Sequence, residues 1–329
     1  MQTSIIFVTA KSKEIGIGHF SRIRKIAEAC SNSFLMDATL WLLSGRETEQ
    51  EMFNRTVNEE HFGKIFELDP PPEYIVFDLH SSFIDEDFKS YLRLFTQNNI
   101  KIIGIDCSLE LASVANIIWI PSFYIKPELR LSLPPNVIYG WDTYFNKLNH
   151  NQKIWSSGEH VLVLTGGSDV TKQGDTLPSL IENTVEQKMI IDWVKGPYSD
   201  MPLIPENSKH HWVIHHAPTH LSHLIEATNY AVSLYGVSLF ELISNGIPTA
   251  VFSPYPGRDD SELKELSSKG ICLVSKDACE AVENLSLMIQ DKEKSLELSK
   301  NSLLKLNQSG LEKIVKVILN MKRSMHDEL

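Results

Sequence analysis

Residues 231–251, AVSLYGVSLFELISNGIPTAV, show the architecture of this chain most clearly. An apolar run of strand type turns at Gly236 and continues with the apolar spacing of a helix. It then stops at Gly246 and Pro248 before a second apolar run. Glycine just past a helix and proline soon after it are typical helix-stop signals. The segment therefore predicts a strand–helix–strand unit, the repeating element of parallel sheets.

Two interpretations of Glu241 in this segment stay open. Ser238 and Glu241 stand three residues apart, the spacing of a capping box in which Ser238 is the N-cap and Glu241 closes the box. Alternatively, the Glu241 carboxylate could reach the ribose hydroxyls of a nucleotide. Capping alone explains Glu241, but it does not explain why Gly236 precedes it.

The same alternation of β-branched runs and amphipathic segments extends in both directions along the chain, which predicts α/β architecture with parallel sheets. In the first half we predict strands at 4–9, 40–43, 74–78, 102–106 and 117–120, and helices at 18–31 and 85–98. In the second half we predict strands at 161–165, 190–194, 212–215, 230–233, 249–252 and 271–274, and helices at 219–227, 238–244 and 259–268. Asp85 is the predicted N-cap of its helix.

A length of 329 residues exceeds what one core usually organises, so two domains are expected. The segment 124–157 is rich in Pro and Asn and has the composition of a loop. We therefore predict an N-terminal domain over 1–150 and a C-terminal domain over 151–329.

Composition excludes several function classes. The net charge of −11 disfavours nucleic acid as a partner, because phosphates demand a basic face. No segment has the roughly 20 apolar residues of an integral membrane span. Residues 1–10, MQTSIIFVTA, lack the basic region of a secretory signal, so a cytoplasmic location is expected. We expect a monomer or weak dimer.

Cysteines and histidines offer no clear metal site. The four cysteines lack CxxC spacing, which argues against zinc or a disulfide framework. Six histidines crowd into fourteen residues, but their spacing fits no recognised ligand pattern. We interpret them as solvated loop histidines and predict no metal and no cofactor; they are His210, His211, His215, His216, His220 and His223.

Two glycine turns follow predicted strands and open helices. Gly16-Ile-Gly18-His19 would let a ligand approach the backbone, and His19 could act as a general base or bind phosphate. The alternative is a helix-capping loop with an incidental histidine. Gly166-Gly167-Ser168 offers backbone donors to a pyrophosphate, although a tight strand-to-helix turn would also need glycine.

Two aspartates end apolar strands of the first half. Asp78 and Asp106 stand where the carboxyl ends of parallel strands meet, the edge at which ligands gather. They could bind sugar hydroxyls or orient a water molecule. They could equally cap the helices that follow.

Taken together, these elements resemble the GT-B nucleotide-sugar enzymes, and above all the PseG-type UDP-sugar hydrolases of pseudaminic acid biosynthesis. That family opens with a strand and Gly-x-Gly-His, as at 16–19, and begins its second domain with a strand and Gly-Gly-Ser-Asp, as at 166–169. Its nucleotide motif, Ala-Gly-Ser-Thr-x-x-Glu, is similar to 235–241. Its acidic strand ends are similar to 78–80 and 104–107. The similarity spans about residues 5–270 in the same order.

The resemblance implies two Rossmann-like domains whose parallel sheets face a central cleft. The first domain would hold the catalytic histidine on the sugar, acceptor or water side, and the second would bind the nucleotide. Carried over by position, the catalytic residues are His19 and Asp78. The nucleotide-binding residues are Gly166, Gly167, Ser168, Gly236, Val237, Ser238 and Glu241. The sugar- or phosphate-binding residues are Gly16, Gly18, His80, Asp106 and Arg258.

Three positions depart from the family pattern. His80 replaces a tyrosine, Cys107 replaces a second aspartate, and Arg258-Asp259 replaces an Asn-Gln pair. In the family these positions lie near the sugar or the uracil. Arg258 could contact a phosphate or a carboxylate, which would fit a different nucleotide-sugar or an acidic acceptor.

Three classes of function fit these observations. The first is hydrolysis of a nucleotide-activated, UDP-linked amino sugar to nucleoside diphosphate and free sugar in surface-glycan or nonulosonic acid biosynthesis, with His19 activating water and Asp78 orienting it. The second is a GT-B glycosyltransferase similar to the MurG type, in which an acceptor hydroxyl replaces water. Arg22, Arg24 and Lys25 are then a solvated face rather than a membrane patch. The third is a non-catalytic nucleotide-sugar-binding module, against which the presence of His19 argues.

Overall fold

The computed structural model describes residues 3–10, 18–32, 36–43, 55–57, 65, 68, 70–145, 154–255 and 257–326. The chain forms two compact units. Unit 1 comprises Met1–Phe145 together with Ser309–Leu329, and unit 2 comprises Asn146–Gln308. Each unit is built on a parallel sheet with helices packed against it.

Unit 1 contains a seven-stranded parallel sheet in the order β3-β2-β1-β4-β5-β6-β7. Its strands are β1 (Thr3–Ala10), β2 (Met36–Leu43), β3 (Arg55–Val57), β4 (Tyr74–Asp78), β5 (Lys101–Ile105), β6 (Ile117–Trp119) and β7 (Val137–Ile138). Its helices are α1 (Gly18–Ser31), α2 (Glu86–Gln97) and α3 (Pro127–Arg130), with 3₁₀ turns at Ser81–Phe83, Leu109–Ser113 and Trp141–Thr143. Asp85 caps α2 by accepting the Phe88 N–H, as predicted.

Unit 2 contains a six-stranded parallel sheet in the order β10-β9-β8-β11-β12-β13. Its strands are β8 (His160–Leu164), β9 (Ile190–Lys195), β10 (His211–His216), β11 (Tyr230–Leu234), β12 (Thr249–Phe252) and β13 (Leu273–Val274). Its helices are α4 (Gln173–Thr184), α5 (Ser222–Ala227), α6 (Val237–Ser244), α7 (Asp260–Ser268), α8 (Ala278–Gln290) and α9 (Lys292–Lys305).

Both sheets follow the same order. The chain starts on a central strand, builds outward on one side, and then returns to the other side of that strand. The order of strands reverses between β1 and β4 in unit 1 and between β8 and β11 in unit 2. In such sheets ligands bind beyond the carboxyl ends of the strands at this reversal. The α/β prediction with parallel sheets is confirmed.

The C-terminal helix α10 (Gly310–His326) belongs to unit 1, so the predicted domain 151–329 is wrong for residues 309–329. Ile314 and Ile318 of this helix are fully buried. They pack against α1 and against the face of the unit 1 sheet that α1 also covers. Each such side chain contributes about 1.5–3 kcal/mol on burial. Lys313 Nζ also lies 2.6 Å from a carboxylate oxygen of Asp142. The amphipathic pattern of residues 310–326 predicts a helix with one buried face, but it does not identify the sheet that the helix covers.

Two further differences from the predictions concern short elements. The segment 124–157, predicted as a loop, contains α3 and β7, the latter an edge strand of two residues. Strand β3 was not predicted either. Within the described residues, no helix is both long and apolar enough to cross a membrane.

Candidate functional site

Four charged or titratable side chains of unit 1 meet beyond the carboxyl ends of β4 and β5. Asp78 is the last residue of β4, and Asp106 directly follows β5, its neighbour in the sheet. His19 and Arg22 lie three residues apart at the start of α1, so their side chains share one face of that helix. We call His19, Arg22, Asp78 and Asp106 the charged cluster.

The contacts of the charged cluster are short. His19 Nδ1 lies 2.6 Å from Asp78 Oδ1. Arg22 donates from Nε to Asp78 Oδ2 at 2.9 Å and from Nη2 to Asp78 Oδ1 at 2.9 Å. Its third nitrogen, Nη1, donates to Asp106 Oδ2 at 2.6 Å. One guanidinium therefore binds one carboxylate through both oxygens and reaches a second carboxylate as well.

These contacts assign the proton on His19. A carboxylate can only accept, so the contact with Asp78 requires a proton on Nδ1 of His19. Arg22 Nη2 lies 3.1 Å from the same nitrogen, but a guanidinium can only donate, so this approach is not a second hydrogen bond. In the neutral ring, Nε2 then carries the lone pair. His19 is 18% exposed and can use that lone pair on a ligand.

Asp78 is fully buried, and this changes its predicted role. A carboxylate with no exposed surface and with both oxygens engaged does not fit direct contact with a water molecule. Nor does Asp78 cap the following helix. Asp78 instead orients His19, as a carboxylate behind a catalytic imidazole does. Asp106, at 44% side-chain exposure, remains open to a ligand.

Arg22 is held as a cation by its two partners. Burial lowers the pKa of the Arg22 guanidinium, but the carboxylates of Asp78 and Asp106 raise it by more, so the net shift is upward. The sequence analysis assigned Arg22 to a solvated face, and this is wrong, because its side chain is only 10% exposed. The signal that could have found it is the spacing of three residues between His19 and Arg22.

Two further predicted residues of unit 1, His80 and Gly18, lie beside the charged cluster. The His80 ring lies 6.1 Å from the His19 ring, centroid to centroid, in an edge-to-face arrangement. Gly18 opens α1 and is exposed. Gly16 lies outside the described residues. Cys107 follows Asp106, and burial raises the pKa of its thiol to about 12, which keeps it unreactive at neutral pH.

In unit 2 the predicted nucleotide-binding residues lie at the carboxyl edge of the sheet. The turn Gly166–Ser168 follows β8, and Gly236 follows β11, its neighbour. Gly166 has a φ of +84°, which favours glycine. Gly196, after β9, packs so closely on this turn that a Cβ would lie 2.3 Å from the carbonyl oxygen of Gly167. Gly196 therefore has to be glycine, a requirement that sequence reasoning missed.

The start of α4, which follows the Gly166–Ser168 turn, is capped by a side chain of the protein itself. Asp169 accepts the N–H groups of Gln173 and Gly174 at 2.9 and 2.8 Å. Two of the donors at the start of α4 are thus occupied. Burial raises the pKa of Asp169, and the two N–H groups lower it by less. An anion at this edge would have to use the turn rather than the start of α4.

Helix α6 begins differently. Its N-cap is Gly236, and no side chain caps it. Ser238 is the second residue of the helix and Glu241 the fifth, so the predicted capping box is wrong. The first N–H groups of α6 have no side-chain cap, and a helix start of this kind attracts anions. Glu241 is half-buried in the second turn.

Arg258 lies in the loop after β12, the next strand of the same edge. It is exposed, and its guanidinium carbon lies 5.1 Å from the centre of the Tyr255 ring. Among the described residues Arg258 forms no ion pair, and the Asp259 carboxylate accepts the Ser253 hydroxyl. The loops after β8, β11 and β12 thus bring the predicted groups of unit 2 to one edge.

The prediction of solvated loop histidines holds only in part: the segment contains a strand, while four of the six side chains are exposed, namely His211, His216, His220 and His223. Residues His211–His216 form β10, and His210 is 5% exposed. His215 Nε2 and His160 Nδ1 lie 2.8 and 3.1 Å from the two oxygens of Asp192. Among the described residues, no group of three or more His, Cys, Asp or Glu is arranged to hold a metal ion.

Two units of Rossmann strand order in one chain define the GT-B class of fold. The chain matches no protein-family model and no curated protein. It is similar to the crystal structure of Acinetobacter baumannii MurG, with a TM-score of 0.63 and 10% identity over 97% of this chain and 99% of that one. It is also similar to Phytolacca americana UGT2 in complex with UDP-2-fluoro-glucose and pterostilbene, with a TM-score of 0.65 and 12% identity over 97% and 99%. A third similar structure is the UDP-GlcNAc 2-epimerase from Neisseria meningitidis bound to UDP-GlcNAc, with a TM-score of 0.57 and 12% identity over 97% and 100%. The chain has the GT-B fold.

Proposed function

We propose that this protein is a glycosyltransferase that acts on a nucleotide-activated sugar, with His19 as the general base. The observation that carries the proposal is the contact between His19 Nδ1 and the buried carboxylate of Asp78 at 2.6 Å. It leaves Nε2 of His19 to accept a proton, and the imidazolium that forms would be stabilised by Asp78. Structures of similar fold that hold UDP or a UDP-sugar support a uridine nucleotide.

The proposed step is a displacement at the anomeric carbon. His19 Nε2 takes the proton of an acceptor hydroxyl while the oxygen of that hydroxyl bonds to the anomeric carbon. The bond from this carbon to the diphosphate breaks, and its electron pair leaves with the nucleoside diphosphate. N–H groups at the start of α6 and in the Gly166–Ser168 turn would bind the charge of the diphosphate. Within unit 1, Asp106 would bind a polar group of the sugar. Within unit 2, Glu241 would bind the ribose and Arg258 a phosphate or a carboxylate.

Hydrolysis is the second candidate. The Gly-x-Gly-His loop resembles that of UDP-sugar hydrolases, and a water molecule could take the place of the acceptor hydroxyl without any change in the role of His19. Pseudaminic acid biosynthesis belongs to this alternative alone. The non-catalytic alternative is less well supported, because a binding module would gain nothing from burying the charged cluster.

Phosphorus NMR on the purified chain separates these candidates. The chain is incubated with UDP-, CDP- and GDP-linked amino sugars, with and without a panel of sugar acceptors. Release of nucleoside diphosphate only when an acceptor is present supports transfer, and release without an acceptor identifies a hydrolase. Line broadening of one nucleotide without release points to a transferase whose acceptor is missing from the panel or to a binding module.

The matched variant for His19 is His19→Asn. The Asn side-chain amide can still donate to Asp78 from nearly the position of Nδ1, but it has no group in the position of Nε2. We expect turnover to fall by at least about 100-fold while nucleotide binding persists. Full turnover in this variant would remove His19 from the mechanism.

A further inference from the structure

His80 is an imidazole beside the charged cluster that no step of the proposed reaction uses. It lies two residues after Asp78, and its side chain is exposed. Its ring meets that of His19 edge to face, at 85° between the ring planes and 6.1 Å between centroids. Two imidazoles this close can contact the same small ligand.

The contacts of His80 assign its proton. The backbone N–H of Ser82 donates to Nδ1 of His80 at 3.2 Å, which makes this nitrogen an acceptor. The Ser82 hydroxyl oxygen lies 2.9 Å from the same atom. A proton on Nδ1 could be donated to the Ser82 hydroxyl oxygen, but it would oppose the Ser82 N–H, which would lose its acceptor, and the cap of the 3₁₀ turn would break. The neutral ring with its proton on Nε2 is therefore the form that fits.

The two rings are thus held in opposite tautomers by different partners. Asp78 takes the proton of His19 Nδ1, so Nε2 of His19 is an acceptor. Ser82 donates to His80 Nδ1, so Nε2 of His80 is a donor. A neutral imidazole that donates from a fixed position is a known device for polarising a substrate oxygen. The arrangement gives one site both an acceptor and a donor.

We propose that His80 is a second catalytic residue, which donates from Nε2–H to a sugar oxygen of the substrate while His19 accepts a proton from the nucleophile. The role of His80 in the reaction rests on the proposed function, whereas the tautomer of His80 does not. It also restricts the substrate. The group that faces His80 is an acceptor such as a hydroxyl or an acyl carbonyl, and not an ammonium, which has only protons to offer.

Two variants separate this role from helix capping. In His80→Asn, the side-chain oxygen can accept the Ser82 N–H from the position of Nδ1, but there is no donor in the position of Nε2. In His80→Gln, the amide nitrogen reaches the position of Nε2, but the cap is lost. We expect kcat/KM to fall at least about tenfold in His80→Asn with an unchanged Tm, and His80→Gln to retain more activity although it is less stable. Capping as the sole role predicts the reverse order of activities and overturns the inference.

A measurement without turnover tests the tautomer. Nitrogen-15 spectra of the full chain with labelled histidine, in which His80 is assigned by its loss in His80→Asn, should show the proton on Nε2. A proton on Nδ1 overturns the inference whatever the activity is. If the wild type turns over no nucleotide-sugar, the proposed function fails. The inference is then decided by adding UDP-N-acetylglucosamine: movement of the His80 Nε2 resonance supports contact, and an unchanged resonance overturns it.

Discussion

Unit 1 and unit 2 share one strand order, but the carboxyl edges of their sheets are built in opposite ways. The edge of unit 1 carries side chains whose charges are paired and mostly buried, with Asp78 fully enclosed. The edge of unit 2 carries glycine turns and the start of α6, which no side chain caps. The first arrangement fixes where a proton sits. The second presents backbone donors to an anion.

The contrast recurs inside unit 2. Asp169 fills the start of α4, whereas Gly236 leaves the start of α6 uncapped. Both helices follow central strands of the same sheet. A side chain that accepts the first N–H groups, as Asp169 does from three residues before the N-cap Lys172 of α4, therefore decides whether a helix start serves the fold or remains for a ligand. Substitutions that cap an uncapped helix start, or that remove one charge of a buried pair, test this comparison between the two sheet edges.

The largest effect is expected for Arg22→Met in unit 1. The substitution leaves the Asp78 carboxylate buried without its cation, and breaking such a pair costs about 3–5 kcal/mol in the free energy of unfolding. Urea denaturation followed by circular dichroism measures the loss. Arg93→Met on α2 is the matched control, because Arg93 is 55% exposed and pairs with the exposed Glu86, so its loss should cost less than about 1 kcal/mol.

A double variant sharpens this test. Asp78→Asn removes the negative charge that Arg22 neutralises. The double variant with Arg22→Met and Asp78→Asn should therefore recover much of the stability that Arg22→Met alone loses. The double variant should not recover turnover, since Asn no longer fixes the tautomer of His19. A loss below about 1 kcal/mol for Arg22→Met would show that the charges of unit 1 are solvated and not buried.

The second effect concerns unit 2, where Gly236→Asp should give the start of α6 a carboxylate acceptor, which Asp169 provides at the start of α4 from outside the N-cap. The Gly236 backbone is extended, and a Cβ there meets no atom within 4 Å, so the side chain fits. The new carboxylate would accept the first N–H groups of α6 and repel a diphosphate. We expect the Kd for UDP, measured by calorimetry, to rise at least about tenfold.

Gly236→Asn is the neutral control, since it supplies the same cap without the charge. It should weaken UDP binding by less than Gly236→Asp does. Equal affinities in the wild type and Gly236→Asp would mean that the start of α6 does not receive the phosphates.

The smallest effect is expected for the imidazole of His210, which unit 2 buries in its neutral form. His210 is 5% exposed, its Nδ1 accepts the Met189 N–H, and burial lowers its pKa. Above the ordinary value of 6.5 the ring is neutral in both states, and its contribution to stability is complete. As the pH falls below that value, the unfolded chain binds a proton that the folded chain does not, so stability is lost.

His210→Asn tests this sign, because the Asn oxygen can still accept the Met189 N–H. Urea denaturation at pH 7.5 and 5.5 should give a smaller difference between the two pH values in the variant than in the wild type. The same difference in both proteins would show that another group causes the pH dependence.

The sequence predicted the fold well where local pattern and burial agree. Strands enclosed on both faces are continuous apolar runs, and β4 and β12 have their predicted bounds. It failed for the packing of α10, because an amphipathic pattern indicates that one face of a helix is buried but not which sheet that face packs against. It also failed for β7, whose two residues are too few for any periodicity.

The sequence predicted the candidate site only in part. It predicted that His19, Asp78 and Asp106 lie at the carboxyl edge of one sheet, because parallel strands end together. It missed that Arg22 is buried, since three basic residues in one helix turn equally fit a solvated face. The capping box at Ser238 failed because β11 runs to Leu234, which leaves only two residues for the turn and makes Gly236 the N-cap.

The return of α10 to unit 1 has a consequence for synthesis on the ribosome. Unit 2 is continuous in sequence, from Asn146 to Gln308, so it can fold as soon as it has emerged. Unit 1 begins first but waits for residues 309–326 to cover the apolar face that contains Ile23 and Ile26. The half of the molecule that is translated first is therefore completed last, and its exposed face is where a chaperone would be expected to bind the growing chain.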